Sequence, residues 1–420
     1  MKSVPRSPSD SLTGQVVITG LGAVCSLGNS LREICLGLST GESGIGGTPD
    51  LEAGAFGCPA ARVNDPPVIK TDIHPLLAKT MGKHLTLLLA STGQALTDAG
   101  IGPGDFIPED MGFFAGMGMV DYHLEDLLPA VVKSLGQNGD LDYDRFFSAG
   151  YREIYPLWPL GMLNNVAFCQ AAIHFGLRGE NSIFTPHGDA GIRAVAEAVR
   201  VLGEGQAKVA LAGGVSEEIS LLSLARARLK GLVGPRQGTS ENSRAQGASV
   251  FLGECGAMLV LETPGNAAAR SAGVLARIVG FGFSCHRDQK TGPASTAAIR
   301  HAMERALDDA GIGPEKIDVV ILGGCGQNES QAVEKTFGVR LPVVVSTAGI
   351  FGETFAAGPI LNAALGLKIS HWAELPQDIY LLGDRAPADI PKTALILVNG
   401  ISYEGMSSSM IIEKAAGRTL

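Results

Sequence analysis

The sequence predicts a duplicated α/β fold, in which two similar units of alternating strands and helices form mixed sheets sandwiched by helices. The main evidence is an internal repeat. Residues 94–106, QALTDAGIGPGDF, and residues 305–317, RALDDAGIGPEKI, share the pattern Ala-Leu-x-Asp-Ala-Gly-Ile-Gly-Pro. The copies begin at residues 94 and 305, so their offset is 211 residues, half of the 420-residue chain. Such a period predicts two copies of one supersecondary unit.

The sequence around each copy of the repeat also corresponds. Each copy is predicted to end an amphipathic helix, with Gly100 or Gly311 placed just after the last turn. A glycine-rich strand is predicted after each copy, over 111–119 and over 319–326. The run GQVVITGLGAV opens the first unit, and LARIVGFGF opens the second. Strands and helices therefore alternate in the same order in both units.

The boundary between the units is predicted at residues 260–270, which gives an N-terminal half, 1–265, and a C-terminal half, 266–420. At this length each half is large enough to bury a core of its own. Glycine accounts for 56 residues and aromatic residues for only 5% of the chain. This composition favours closely packed layers of helix and sheet over a core built on aromatic side chains.

Composition and charge exclude several classes of function. The net charge of −9 and the lack of a dense Lys/Arg run argue against nucleic-acid binding. No apolar run approaches the roughly 20 residues that a membrane span needs, and the N-terminus lacks the apolar segment of a secretory signal. The seven cysteines have no CxxC pairing, which predicts reduced thiols, a cytoplasmic protein and no zinc site. No glycine-rich run has the spacing of a dinucleotide fingerprint, so no cofactor is expected.

A strand-to-helix turn is predicted near the middle of the chain. A β-rich run over 183–185 leads through Pro186, His187, Gly188 and Asp189 into a helix rich in alanine and valine. Such turns often carry a nucleophile, because the free N–H groups and positive dipole end of the helix stabilise negative charge. The tip of this turn offers only Gly188. The sequence therefore predicts a turn of the kind that carries a nucleophile, with a glycine in place of the nucleophilic residue.

Motifs spread over nearly the whole chain carry a resemblance to a known family. They are VVITGLGAVCSLGNS, FGLRGENSIFTPHGDAG, VALAGGVSE, FLGECGAMLVLE and VNGISYEGMSSSMIIEK. Together they resemble the β-ketoacyl synthase family. The resemblance implies a thiolase-like fold, a layered αβαβα sandwich of two halves. Members of the family condense acyl chains with malonyl units held on an acyl carrier protein, using a cysteine, two histidines and a lysine.

The four catalytic positions of the family are changed in this chain. The family pattern T-A-C-x-x-G falls on residues 186–191, so Gly188 replaces the nucleophile. Cys325 stands where the first histidine is expected. The pattern S-T-K-S-x-T-G-H falls on 346–353, so Ala348 replaces the lysine and Glu353 the second histidine. A glycine forms no thioester, and an ionised glutamate repels an oxyanion. The resemblance thus implies that the condensation itself is lost.

The resemblance further implies a role through a partner. Ketosynthases of this family are twofold dimers, and the chain length factor of type II polyketide systems keeps the fold while losing the cysteine. We expect such a subunit to pair with an active ketosynthase that works on an acyl carrier protein, and to close the far end of its acyl pocket. The strand over 182–185 is expected to pair across the dimer axis. Candidates for the pocket or interface are His187, Met117, Met119, Tyr122, Leu124, Ile401 and Tyr403.

Two alternatives from other classes remain open. Cys325 could serve as a relocated nucleophile, with Glu353 and a nearby histidine as orienter and base, in an independent acyltransferase or thioesterase. The sequence around Cys325 offers no basic neighbour to lower its pKa, which favours an inert thiol. The other alternative is a scaffold or carrier-protein-binding module with no influence on product length. His187 is interpreted either as a group that orients an acyl chain or as a hydrogen-bond partner of a neighbouring loop.

Overall fold

The computed structural model describes residues 15–46, 59–67, 69, 82–118, 120–185, 188–216, 218–230, 232, 251–287, 294–324, 326–338, 340–369, 379–382 and 387–416. Three of the sequence-predicted site residues named above, Met119, His187 and Cys325, lie outside these ranges. The other candidate residues lie within them.

The described strands form one continuous sheet of eleven. The strands of the N-terminal half are β1 (Val16–Cys25), β2 (Met111–Met117), β3 (Asn181–Phe184), β4 (Val209–Val215) and β5 (Cys255–Glu262). Those of the C-terminal half are β6 (Ala276–Cys285), β7 (Val319–Ile321), β8 (Val343–Val345), β9 (Tyr380–Leu382), β10 (Leu395–Ile401) and β11 (Met406–Lys414).

The helices connect these strands on both faces. In the N-terminal half they are α1 (Leu31–Ser39), α2 (Lys83–Asp98), α3 (Leu128–Lys133), α4 (Tyr143–Ser148), α5 (Asn164–Phe175), α6 (Ala190–Gly203), α7 (Leu221–Leu229) and α8 (Pro264–Ala269). In the C-terminal half they are α9 (Thr296–Ala310), α10 (Gln327–Phe337), α11 (Ala348–Phe351) and α12 (Gly358–Lys368). Among the described residues, none of the helices is both long and apolar enough to span a bilayer.

The order of the strands confirms the predicted duplication. From one edge to the other the order is β3-β2-β4-β5-β1-β6-β11-β10-β7-β8-β9. Up to β8, the order on one side of the β1–β6 junction mirrors that on the other, with β9 added at the far edge. Strand β1 pairs antiparallel with β6 only through Val16, Val17 and Ile18. This short junction divides the continuous sheet into two parts, which we call the N-terminal sheet and the C-terminal sheet.

The layers are those of an αβαβα sandwich. Helix α12 is almost wholly buried, and it contacts the largely buried α6 between the N-terminal and C-terminal sheets. Helix α2 covers the outer face of the N-terminal sheet, and α9 covers that of the C-terminal sheet. A central apolar core surrounds α6 and α12, and one further core lies under each outer helix. The predicted division at residues 265 and 266 falls inside α8, and it stays a prediction.

The repeated sequence makes the same contacts in both halves. Asp98 of the first copy accepts a hydrogen bond from the backbone N–H of Leu21 at 3.0 Å. Its counterpart Asp309 accepts one from the N–H of Phe281 at 2.9 Å. The glycines that follow the helices, Gly100 and Gly311, both have a φ of 66°, the left-handed conformation that glycine adopts without strain. In each half, the aspartate of the repeat therefore links the end of the helix to the first strand by a hydrogen bond.

Glycines in β1 and β6 let the outer helices lie against the strands. A Cβ atom at Gly22 would lie 2.0 Å from the carbonyl oxygen of Ser91 in α2. A Cβ atom at Gly282 would lie 1.8 Å from that of Ala302 in α9. Ser91 and Ala302 are 211 residues apart, the offset of the repeat. The high glycine content therefore serves close packing, as the composition predicts.

Two predicted strands are shorter in the structure. The first ends at Met117 and the second at Ile321. In the second, the N–H groups of Gly323 and Gly324 donate to the carboxylate of Glu329 rather than to a neighbouring strand. The side chain thus ends the ladder early, which strand propensity alone does not reveal.

A buried ion pair joins four separate segments of the N-terminal half. Lys83 contacts the fully buried Glu254 at 2.9 Å. The same carboxylate accepts hydrogen bonds from the backbone of Val63 at 2.8 Å and of Ile219 at 2.9 Å. Because three donors share one carboxylate in a site shielded from water, removal of the lysine leaves a buried charge that is poorly compensated.

We expect Lys83→Met to lower the free energy of unfolding by about 3 kcal/mol, because it strands the Glu254 carboxylate. Urea denaturation followed by circular dichroism measures the change. The matched control is Lys208→Met, since Lys208 forms its ion pair with Asp110 at the surface with 60% of its side chain exposed. The control should change stability by less than ~1 kcal/mol. Equal effects of the two substitutions would contradict the assignment.

Candidate active site

The predicted strand-to-helix turn is present. Strand β3 runs parallel to β2 and ends at Phe184, and α6 begins at Ala190. Gly188 lies two residues before the first residue of that helix. The free N–H groups at the start of α6 therefore face the region of Gly188, as they would face a nucleophile at this position.

The space next to Gly188 is filled by the backbone of the other half. A Cβ atom at Gly188 would lie 2.1 Å from the carbonyl oxygen of Ile401 and 3.0 Å from its carbonyl carbon. Ile401 is buried and is the last residue of β10. No side chain fits at position 188 unless β10 moves. The turn therefore carries no side chain at position 188 and has no room for one.

An acidic side chain lies at the positive end of the α6 dipole. Asp189 is fully buried and forms an ion pair with Arg193 one turn further along the helix. The guanidinium of Arg193 lies 5.6 Å from the ring centre of Phe283 in β6. A carboxylate at a helix N-terminus is stabilised by the dipole. Asp189 takes up the electrostatic stabilisation that a thiolate would otherwise receive, and the sequence pattern alone did not single it out.

The turn is packed tightly against the segment that follows α11. A Cβ atom at Gly191 would lie 2.1 Å from the carbonyl oxygen of Ala356, and one at Gly214 would lie 2.2 Å from the same oxygen. The neighbouring Phe355 is buried and has a φ of 49°, a conformation that costs energy in a residue with a bulky side chain. Close contacts on two sides hold this strained residue in place.

The remaining family positions converge on Gly324. A Cβ atom at Gly324 would lie 3.6 Å from Oε2 of Glu353 and 3.9 Å from Cβ of Ala348. The structure thus brings together Ala348 and Glu353, two of the positions predicted to be changed, next to the residue that precedes Cys325. Cys325 itself lies outside the described residues, and no geometry is assigned to it.

Glu353 is held as a hydrogen-bond acceptor. It is buried, and its Oε1 accepts from the backbone N–H of Phe355 at 2.8 Å. The hydroxyl of Tyr403 donates to its Oε2 at 3.4 Å. Two of the candidate residues, Glu353 and Tyr403, are therefore in contact. A carboxylate offers acceptors where stabilisation of an oxyanion requires donors.

A second buried carboxylate fixes the loop beside this site. Glu329 in the first turn of α10 is fully buried and accepts from the N–H groups of Gly323 at 2.8 Å and Gly324 at 3.0 Å. It also accepts from the side-chain amide of Asn399 at 2.9 Å, and Asn399 accepts from the hydroxyl of Ser409 at 2.7 Å. No sequence motif indicates this network, because Asn399 lies 70 residues from Glu329 in the chain.

The pocket candidates from the end of β2 onward lie in different surroundings. Met117 is buried in the core beneath α2, whereas Leu124 is largely exposed. Tyr122 packs edge-on against Trp158, with ring centres 5.5 Å apart. Asp121 fixes the segment by a paired contact with the guanidinium of Arg226 in α7, at 2.7 and 3.2 Å. Met117 and Ile401 belong to two different apolar cores.

The described buried cysteines are unsuited to nucleophilic chemistry. Burial raises the pKa of Cys25 to about 12. Burial also raises the pKa of Cys255 well above its usual value. Both thiols are therefore protonated at neutral pH, and the thiolate is the reactive form.

Comparison with known proteins assigns the chain to a family. Residues 13–267 match the model of the β-ketoacyl synthase N-terminal domain, and residues 275–378 match that of the β-ketoacyl synthase C-terminal domain. The chain therefore belongs to the β-ketoacyl synthase family, and the predicted thiolase-like fold is confirmed.

Relatives in the family match the chain at low identity. A 3-oxoacyl-[acyl-carrier-protein] synthase 2 of Coxiella burnetii is 25% identical, over 95% of this chain and 98% of its own length. Nodulation protein E of Rhizobium meliloti is 28% identical, over 77% of each chain. Among solved structures, the ishigamide ketosynthase/chain length factor superposes with a TM-score of 0.76 at 22% identity, covering 96% of this chain and 100% of the other. That structural similarity concerns the fold alone.

We expect Gly188→Cys to destabilise the protein by roughly 1–3 kcal/mol and to leave the introduced thiol unreactive, because the Ile401 carbonyl occupies its place. Thermal unfolding and iodoacetamide labelling followed by peptide mass spectrometry measure the two effects. Gly265→Cys is the matched control, since nothing lies within 4 Å of a Cβ atom there. A Gly188→Cys protein of unchanged stability whose new thiol labels readily would contradict the proposed closure of the turn.

Proposed function

We propose that this chain is a non-catalytic subunit that pairs with an active ketosynthase and shapes the acyl pocket of that partner, in the manner of a chain length factor. The pair would extend a fatty-acid or polyketide chain on an acyl carrier protein. The observation that carries the proposal is the carbonyl of Ile401 in the space that a nucleophile at position 188 would need.

The chemistry of the changed positions supports a non-catalytic role. Carbon–carbon condensation needs a nucleophile that holds the acyl group and donors that stabilise the oxyanion formed when malonyl loses carbon dioxide. Gly188 supplies no nucleophile, and Ala348 supplies no charge. Glu353 supplies a carboxylate, which would repel both the oxyanion and the malonyl group. Together these residues would disfavour both the loading of an acyl group and the loss of carbon dioxide from malonyl.

Features of the N-terminal sheet edge support a dimeric partner. Strand β3 has β2 as its one neighbour within the described part of the sheet. Its outer edge therefore presents backbone N–H and C=O groups that a strand of another chain can pair with. Ile173 on the nearby helix α5 is also strongly exposed for an apolar residue. A chain that lacks chemistry of its own gains a function by covering this edge with a competent partner.

The relatives indicate the kind of partner and substrate. The Coxiella relative is named for an acyl carrier protein, and the ishigamide structure joins a ketosynthase with a chain length factor. We propose that this chain likewise pairs with a ketosynthase and that the pair acts on an acyl carrier protein. The pocket of the partner would reach the subunit interface, where the segment from Met117 to Leu124 would limit its depth. Asp121, by its contact with Arg226, would hold that segment in place.

The experiment is co-expression of this chain with each ketosynthase of its source organism that keeps the cysteine at the turn. We expect a stable 1:1 complex by size-exclusion chromatography with light scattering. With an acyl carrier protein and malonyl units, the complex should form a product of defined length, and this chain alone should form none. Condensation by the isolated chain, or the absence of a complex with every such ketosynthase, would refute the proposal.

Cys325→Ser within the complex separates this proposal from an independent acyltransferase. A non-catalytic subunit should give the same product and rate, within about twofold, because its thiol takes no part in the chemistry. Intact-mass analysis of the wild-type subunit after incubation with acyl carrier protein substrates is the companion measurement. An acyl adduct on this subunit that the serine variant lacks would favour the acyltransferase instead.

A further inference from the structure

A small lobe between β2 and α5 carries its apolar side chains on the outside. It spans residues 124–153 and comprises two short helical turns with α3 and α4 between them; we call it the outer lobe. Leu128 is 57% exposed, Val132 59%, Tyr143 67% and Phe147 69%. Apolar residues exposed singly are ordinary on a protein surface, but a group of large ones in one lobe marks an interaction site.

The interior of the outer lobe is held by polar contacts. Ser134 is fully buried, and its hydroxyl donates to the carbonyl of Ala130 at 2.6 Å. The carbonyl of Ser134 accepts from the N–H of Asp142 at 2.8 Å, and the Asp142 side chain caps α4. A Cβ atom at Gly150 would lie 2.0 Å from the Ser134 hydroxyl oxygen, so the last turn packs directly on it. The exposed apolar side chains are thus not what folds the lobe.

The spacing of the exposed residues places them on common faces. Leu128 and Val132 are four residues apart on α3, and Tyr143 and Phe147 are four residues apart on α4. Residues at this spacing lie above one another on a helix. Because α3 and α4 contact each other, the lobe presents the two pairs as part of one rigid unit.

A shallow groove, open to solvent, lies on the outer lobe. It has a volume of about 550 Å³ and an apolar floor of Leu128, Pro129 and Val132. Glu125 and the ion pair of Lys133 and Glu153 also line it. An apolar floor with a charged rim is the arrangement in which one large side chain of a partner contributes much of the binding energy.

The charges around the groove are predominantly negative. The lobe contains six acidic and three basic residues. Lys133 and Arg145 are engaged in ion pairs, whereas Glu125, Asp126, Asp140 and Asp144 form none within the described part of the chain. A second copy of this lobe would place acid against acid, and an acidic partner would meet the same repulsion. The rim favours a partner with basic residues around an apolar centre.

We infer that the outer lobe is a docking surface for the ketosynthase partner, which inserts an apolar side chain into the groove and places basic residues around it. The inference rests on the proposed function, since that function supplies the partner. It adds a contact surface that is separate from the backbone edge of β3, and it explains why the lobe keeps apolar residues that its own folding does not use.

The test uses Val132→Asp with Phe147→Asp in one chain. The matched control carries Leu36→Asp and Ile107→Asp, whose side chains are 62% and 59% exposed elsewhere on the surface. Affinity for the ketosynthase identified by co-expression is measured by biolayer interferometry at low and high salt. We expect the lobe variant to bind at least ~30-fold more weakly and the control to bind as the wild type does. Both variants should keep the thermal stability of the wild-type chain when measured alone.

A third variant tests the rim. Asp140→Lys with Asp144→Lys should weaken binding, and the loss should shrink as salt screens the charges. If the wild-type chain forms the complex and the Val132/Phe147 variant binds equally well, the docking inference is overturned and the proposed function stands. If the variant keeps the ketosynthase but loses binding of acyl carrier protein, the surface belongs to the carrier, which also overturns the inference. If no ketosynthase binds the wild-type chain, both the docking inference and the proposed function are refuted.

Discussion

The contact between Gly188 and the carbonyl of Ile401 is the constraint on which the candidate site depends. It joins the turn of the N-terminal half to the last residue of a strand in the C-terminal half. The carbonyl oxygen of Ile401 carries partial negative charge. This oxygen and the Asp189 carboxylate therefore occupy the electropositive region at the start of α6, where an anion would otherwise be stabilised. The two halves are therefore closely packed where they meet. The contact is made by a backbone carbonyl, which a side-chain substitution at Ile401 would leave in place.

The fold could be predicted from the sequence because its determinants are local and repeated. Asp98 and Asp309 close the same backbone contact in each half, and Gly100 and Gly311 end the preceding helices in the same conformation. Each of these residues acts within a few residues of its own helix end or on the first strand of its unit. A pattern that occurs twice at a fixed offset therefore reveals both the element and its packing.

The candidate site could be predicted only in part. The absence of a side chain at position 188 is visible in the sequence, and so is Glu353. The filled space is not, because Ile401 approaches Gly188 from a strand far along the chain. Glu329 likewise gives no sign of its burial, since the groups that satisfy it come from a loop and from Asn399 on β10. Sequence patterns identify which residues are missing, whereas the tertiary fold decides what replaces them.

The outward-facing side chains of the outer lobe have a consequence for how much of this chain a cell can hold. Uncovered apolar surface promotes self-association as concentration rises, and the many acidic residues around it oppose that tendency only while salt is low. Surplus chain would therefore be lost to aggregation or to proteolysis. Synthesis of this chain together with the partner that covers the lobe would prevent that loss. The exposed apolar side chains would therefore favour equal amounts of the two proteins.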